Sequence, residues 1–326
     1  MAFDRVALLG TGLIGTSVAL GVKAARPSTR ITGYDASGNN VRRAQQLKAI
    51  DRAAHVLDAV ADAQLVVVAT PVGAMEALFA EIAPALQPGT VVLDTGSTKQ
   101  QVLQWAEASL PASVQFVGGH PMAGKTETGP ESADAALFRG AVWCVVPSPS
   151  ASRQAIDQVV ALVESLGAAP YFLGGDEHDG LVAAVSHLPY LMAVALIGHL
   201  GREGSWRETA SLAAGGFAYG THLTDSDPRM FADIARTNSA SIVRRLDLYL
   251  AELRSLRDKI AENDPGVKET FDRARELHND WLAGRAQGAA AESENPLPTS
   301  RSLLTGNLLG RWGGGKRDEG QNAPRR

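Results

Sequence analysis

Residues 5–35 read RVALLGTGLIGTSVALGVKAARPSTRITGYD. The apolar run Val6–Leu9 meets the glycine turn Gly10-Thr11-Gly12-Leu13-Ile14-Gly15, a helical pattern follows to about Ala25, and a β-rich run Arg30–Tyr34 ends at Asp35. A Gly-x-Gly-x-x-Gly match carries weight only with a strand before it, a helix after it and an acid about 20 residues on, and all three are present here. Gly10 permits the tight turn, Gly12 lets the backbone approach a pyrophosphate, and Gly15 lets helix and strand pack closely. The N–H groups at the helix start, with Leu13 and Ile14 between the glycines, are expected to hold the phosphates at the positive end of the helix dipole. Asp35 is expected to accept from a ribose 2′-hydroxyl and to repel a 2′-phosphate. The expected cofactor is NAD.

Outward from this unit the chain alternates as an α/β fold should. Ala63–Ala69 (AQLVVVA) is a β-branched, valine-rich run, the pattern of a central parallel strand buried on both faces. It ends in Thr70-Pro71; Val72–Leu86 reads as a helix, and Thr90–Leu93 as the next strand. Ligands in open α/β sheets bind beyond the carboxyl ends of the strands, so Thr70, Pro71 and the segment Thr95–Thr98 are expected beside the nicotinamide. Val114–Val117 reads as a further strand leading to a loop, Gly118–Gly124, that carries His120. Ala141–Val146, Ser152–Leu166 and Tyr171–Leu173 complete a sheet domain over residues 1–175. The fold class expected is a Rossmann-type doubly wound parallel sheet.

Strand-like runs then cease. Residues 176–286 read as an all-α domain: His178–Leu200 is apolar nearly all round, Pro189 implies a bend, and Asp227-Pro228 is a cap followed by proline at the first helical position. Residues 287–326 lack a sustained period and read as a disordered tail, in which Leu303-Leu304, Leu308-Leu309 and Trp312 are the apolar residues.

At 326 residues, two domains are expected. A net charge of −4 gives no electrostatic case for nucleic acid. The lone Cys144 excludes an internal disulfide and suits a reducing compartment, and its apolar run reads as a buried structural thiol. Val6–Val22 contains four glycines and lacks a basic cluster before it, so it is not read as a signal peptide. No membrane span is expected, and the location expected is the cytoplasm.

Hydride chemistry needs a group that exchanges the substrate hydroxyl proton. Histidine, with an ordinary pKa of about 6.5, suits this. His120, at a strand end between glycines and a proline, is the leading candidate. His187, within Ala184–Pro189, reads equally as a satisfied core histidine and as a site residue.

These residues occur in the order of a known family. Gly10–Ser17, Asp94-Thr95-Gly96-Ser97-Thr98-Lys99, Gly118-Gly119-His120-Pro121-Met122-Ala123-Gly124, Val185-Ser186-His187-Leu188-Pro189 and Ser226-Asp227-Pro228 carry the likeness. From about Val6 to Leu282 the chain resembles the prephenate/arogenate dehydrogenases of tyrosine biosynthesis. The resemblance implies an NAD domain, a helical dimerisation domain and a site between them, working as a homodimer on a small-molecule substrate. It implies oxidative decarboxylation of a cyclohexadienol, with His120 accepting from the ring hydroxyl, Ser97 orienting both, and His187 in the site. Prephenate is the first substrate, arogenate or a related cyclohexadienyl compound the alternative.

Three positions depart from that pattern, all in the substrate half. The family's arginine is His222 here, the last histidine of Ser-His-Leu-Pro-His is Tyr190, and a frequent tryptophan is Phe231. Lys125 is then a candidate replacement cation. A β-hydroxyacid dehydrogenase, which uses a lysine early in its second domain, is disfavoured because no lysine lies between Lys125 and Lys259. A non-catalytic NAD-sensing regulator is disfavoured by the retention of Ser97 and His120.

Overall fold

The computed structural model describes residues 3–125 and 127–294, with only the backbone given for 285–294. The sheet half runs β1 (Arg5–Leu9), α1 (Leu13–Ala25), β2 (Arg30–Tyr34), α2 (Gly38–Gln46), β3 (Arg52–Ala53), α3 (Val56–Val60) and β4 (Leu65–Val68). It continues through α4 (Met75–Ile82), β5 (Val91–Asp94), α5 (Gln100–Ser109), β6 (Gln115–Pro121), β7 (Val142–Pro147), α6 (Arg153–Ser165) and β8 (Ala169–Phe172). The eight strands form one sheet in the order β3-β2-β1-β4-β5-β6-β7-β8. The reversal of chain direction across the sheet lies between β1 and β4, where open α/β sheets bind ligands.

All pairs are parallel except β6 with β7. The sheet is thus the doubly wound, parallel-dominated one expected, with a single antiparallel pair. Parallel neighbours need a crossover connection, usually helical. Among the described residues, Met122–Ala141 holds no α-helix, only a 3₁₀ turn at Pro130–Ser132, so the chain returns directly and antiparallel. His120 is also not on a loop: β6 extends through Pro121, and His120 faces Cys144 in the ladder. Cys144 is buried, as its apolar run suggested.

Both faces of the sheet are covered. One core gathers Leu8, Ile31, Val67 and Trp143 with Val18 and Val22 of α1 and Val159 and Leu162 of α6. The other gathers Leu9, Val66, Val68 and Val92 with Met75 and Phe79 of α4 and Val102 of α5. The central strands β4 and β5 are buried at every position, which explains the apolar sequence of β4 and of β5 up to Leu93.

The helical half comprises α7 (Gly175–Val182), a π-helical turn (Ala183–His187), α8 (Leu188–Leu200), α9 (Trp206–Leu212), α10 (Gly215–Thr221), α11 (Pro228–Thr237), α12 (Ser239–Ala261) and α13 (Gly266–Glu294). The bend expected from Pro189 is realised as the π-turn just before it, a deformation frequent at functional sites. Gly175–Leu200 is long and apolar enough to cross a membrane by length and composition. Its buried polar groups, though, bond to the sheet half, as described below. The core of this half is small, Ala183, Ile234 and Ile242 with Leu191, Phe231 and Leu246 against them. Large apolar side chains stay outside it: Leu212 is 84% exposed and Tyr219 81%.

Residues to Trp281 form one compact unit; Leu282–Arg326 is a second. Disorder was expected from residue 287, yet α13 continues to Glu294. Its last turns are rich in alanine and glutamate, which favour helix without any packing partner. Residues 295–326, with the leucine pairs and Trp312, lie outside the described residues.

The glycine turn shows how tightly the first βα unit is built. A Cβ on Gly15 would stand 2.0 Å from the carbonyl oxygen of Gly10 and 3.0 Å from the Cβ of Ala69. Gly10 has φ +94°, and a Cβ there would meet the Ala69 oxygen at 2.4 Å. Both obstacles to a Gly15 side chain involve the packed backbone or the next strand, so neither can swing aside. We expect Gly15→Ala to destabilise the fold by at least about 2 kcal/mol, within the range for overpacking. Urea denaturation reads this directly, and an unchanged midpoint would show that α1 can lift off the sheet at no cost.

Candidate active site

The glycine turn leads into the N-terminus of α1. Gly12 is the N-cap, and no side chain caps the first turn, nor does an acid stand in it. The first-turn N–H groups, including those of Leu13 and Ile14, therefore lack intrahelical acceptors. Space above Gly12 is open, with nothing within 4 Å of where a Cβ would be. At the end of β4 the hydroxyl of Thr70 is buried without a hydrogen-bond partner, while Pro71 is exposed. An uncapped helix start, open space over a glycine and an orphaned hydroxyl one strand away fit a dinucleotide.

Asp35 sits half-buried at the end of β2. Its Oδ2 accepts from the Thr11 amide at 2.7 Å and the Thr11 hydroxyl at 3.1 Å. Its Oδ1 accepts from the Ser37 amide at 2.8 Å. The carboxylate thus braces the glycine turn, a contact that the motif spacing does not reveal.

The reacting end is built from β5, β6 and the start of the helical half. Asp94, fully buried at the end of β5, accepts from the Gly96 amide at 2.7 Å and from the Gly119 amide at 3.1 Å. Its other partner is the ammonium of Lys99, also fully buried. This ion pair ties the β5–α5 loop, which carries Ser97, to the backbone next to His120. Removing one member of such a buried pair typically costs about 3–5 kcal/mol, because the other charge is left stranded.

His120 is half-buried, and its Nδ1 lies 2.9 Å from Nε2 of His178. His178 is fully buried, and its Nδ1 lies 2.8 Å from Oδ1 of Asp179. Asp179 in turn accepts from the amides of Lys99 at 2.8 Å and Gln100 at 3.0 Å, at the start of α5. Burial holds the His120 pKa well below the ordinary value, with His178, Lys99 and His187 opposing a cation there as well. The imidazole is therefore neutral near pH 7, an acceptor rather than a cation.

His187 ends the π-turn and is 1% exposed. Burial first, and the proximity of His178, depress its pKa to about 4, against the opposing pull of Asp179. The side-chain amide of Asn238 donates to the Asp179 carbonyl at 2.8 Å and lies 3.3 Å from His187 Nδ1. With Nδ1 accepting from that amide, the neutral ring carries its proton on Nε2, and Nε2 is buried without a partner. His187 thus offers a donor and His120 an acceptor. Further joints between the halves are the Gly73 amide on Asp233 at 3.0 Å and the Thr98 and Thr237 hydroxyls 2.8 Å apart.

The other residues read from the sequence fall as follows. Ser97 is half-buried on its loop; among the described residues its hydroxyl makes no hydrogen bond, and the ring nitrogen of His120 is engaged by His178 instead. Tyr190 is buried, its ring stacked on Phe231 at 3.4 Å between centroids. Lys125 is exposed and donates to the Ser132 carbonyl at 2.9 Å. His222 is exposed, with Nδ1 2.6 Å from the Tyr219 carbonyl. Neither Lys125 nor His222 is bonded to the histidine cluster. His178, Asp179, Asn238 and the Asp94–Lys99 pair escaped the sequence reading.

Comparison with known proteins identifies the family. Residues 18–171 match the prephenate dehydrogenase nucleotide-binding domain and residues 175–273 the prephenate dehydrogenase dimerization domain. The prephenate dehydrogenase of Bacillus subtilis is 33% identical over 289 residues, 88% of this chain and 78% of that protein. The cyclohexadienyl dehydrogenase of Zymomonas mobilis is 34% identical over 265 residues, 80% of this chain and 90% of its own. The structure of prephenate dehydrogenase from A. aeolicus, in complex with hydroxyphenyl propionate and NAD+, shares the fold at a TM-score of 0.81, with 24% identity over 86% of this chain and 99% of that one. The family models span both halves of the molecule, up to and beyond the histidine cluster: the chain belongs to the prephenate dehydrogenase family.

Proposed function

We propose that the protein catalyses the NAD-dependent oxidative decarboxylation of prephenate to 4-hydroxyphenylpyruvate, with arogenate or a related cyclohexadienyl compound as the alternative substrate. The observation that carries this reading is the neutral His120, held as an acceptor at the end of β6 and backed by His178. Bound NAD supplies the hydride acceptor. Gly10, Gly12, Leu13, Ile14 and Gly15 would hold its pyrophosphate, Asp35 the adenosine ribose, and Thr70 and Pro71 the nicotinamide side.

His120 accepts the hydrogen bond of the ring hydroxyl, and the oxygen's electron pair then assists departure of hydride from the same carbon. The bond to the ring carboxylate breaks next, carbon dioxide leaves, and its electron pair enters the ring. The ring becomes a phenol, which regains the proton held at His120. Aromatisation supplies the drive, so the protein's work is orientation and polarisation. His187, with its unpartnered donor, is placed to bind a substrate oxygen, and Ser97 is free to meet the hydroxyl. The stacked Tyr190 and Phe231 would give the ring an apolar wall. Lys125 and His222 remain the proposed cations for a substrate carboxylate.

The working unit is proposed to be a homodimer formed through the helical half. Its exposed Leu212 and Tyr219, together with the small core of that half, support this. A buried lone thiol suits the cytoplasm.

Three outcomes test these readings. NADH formation is expected with prephenate or arogenate, and His120→Asn should fold, bind NAD and lose about 10²–10⁴ in kcat. A loss below tenfold would remove His120 from the chemistry. Asp35→Ser is expected to narrow the preference for NAD over NADP, measured as the ratio of kcat/KM, and to lower Tm, because it also unbraces Thr11. An unaltered ratio would take Asp35 away from the ribose. Light scattering at micromolar concentration is expected to give twice the chain mass, with Leu212→Glu shifted toward monomer; a monomeric wild type would refute the dimer.

A further inference from the structure

The acceptor role read for His120 demands one particular tautomer. A neutral imidazole has one N–H and one lone pair, and which nitrogen carries which is set by the partner of the other. Among the described residues, the only polar side chain at His120 Nδ1 is His178, so its bonding decides the question.

The chain of bonds can be followed from its fixed end. Asp179 lies where the first N–H groups of α5 lack intrahelical acceptors, and it takes two of them, from Lys99 and Gln100. A helix start favours a negative charge, so the site suits a carboxylate. A carboxylate only accepts, so His178 Nδ1 must be the donor in the 2.8 Å contact with Oδ1. In the neutral ring, Nε2 of His178 then has a lone pair, and it lies 2.9 Å from His120 Nδ1. That nitrogen must donate. The free Nε2 of His120 is left with its lone pair. His178 and Asp179 are 0% and 2% exposed, so water does not offer them other partners.

We propose that His178 and Asp179 are positioning residues that fix His120 in its Nδ1–H tautomer and so present Nε2 as the proton acceptor. This rests on the reading of His120 as the group that meets the substrate hydroxyl. It adds a part for the polar stretch Asp176–Asp179, whose sequence looks like a linker. It also gives α5 a part: the same carboxylate that caps this helix orients the base, so the loop carrying Ser97 and the ring of His120 share one anchor. Asp179 reaches the second histidine too, since its carbonyl holds the Asn238 amide that faces His187.

The direct test is ¹⁵N NMR on histidine-labelled enzyme, which reports the protonated nitrogen of each ring. His120 is expected to carry its proton on Nδ1 and His178 on its own Nδ1. A proton on Nε2 of His120, or a doubly protonated His178, would overturn the proposal without reference to activity. Two variants then read the consequence. His178→Gln keeps an oxygen acceptor for His120 and should retain most of kcat, whereas His178→Phe fills the space without one and should lose about a hundredfold. KM and the Kd for NAD should change little in both. Equal losses in the two variants, or a loss confined to KM, would mean that His178 serves packing alone. If His178→Phe does not fold, the tautomer measured in the wild type still decides. An active His120→Asn would instead sink the underlying reading of His120. An inactive His120→Asn beside a fully active His178→Phe would leave that reading intact and remove the relay.

Discussion

The cluster of buried histidines where the sheet half meets the helical half depends on one buried carboxylate. Asp179 is 2% exposed, and its two oxygens collect three N–H groups from two parts of the chain that are 80 residues apart in sequence. Burying a charge is tolerable only where it is paired and hydrogen-bonded. The start of α5 supplies both needs through its free amides and dipole. Once the carboxylate is there, the first turn of α7 is pinned to the sheet half. His178 is pointed at β6, and the π-turn carries His187 to Asn238. The second buried acid, Asp94, does the matching task inside the sheet half. It holds Lys99 and the Gly119 amide, so the residue before His120 and the residue at the α5 cap move together.

Much of the fold was legible because it is dictated locally. The apolar runs Leu65–Val68 and Val91–Leu93, the glycine turn with its spaced acid and the Asp227-Pro228 helix start each carry their reason within a few residues. The direction of β7 was legible in principle, since the segment before it lacks the helix that a parallel return requires. The last turns of α13, to Glu294, follow from composition, alanine with glutamate, rather than from an apolar period.

The site divides differently. His120 and the cofactor turn stand out by motif, but His178 and Asp179 do not: Gly-Gly-Asp-Glu-His-Asp looks like a hydrophilic connection between domains. Nothing within it says that two of its side chains will be buried against a helix cap formed far upstream. Lys99 is hidden in the same way, because a lysine at a helix start is ordinarily solvated and only the fold shows Asp94 beneath it. The substrate side is the reverse case. Tyr190, Phe231 and His222 were singled out by their departure from the family pattern, and the structure pairs the first two as a stack while leaving His222 at the surface. The two histidines that carry the family likeness lie near the domain junction, whereas the positions that depart from it form a buried stack and an exposed imidazole.

The central claim is that the protein keeps His120 uncharged at working pH by taking its ring partly out of water and placing other basic groups around it. An NMR titration of the His120 ring in the otherwise unaltered protein tests this most directly. The folded-state pKa is lowered, so the neutral form should persist through pH 7 and below the ordinary histidine value of about 6.5, with protonation only under more acidic conditions. Protonation at or above about 6.5 would contradict the account, because the ring would then be charged over at least as wide a pH range as a histidine in water.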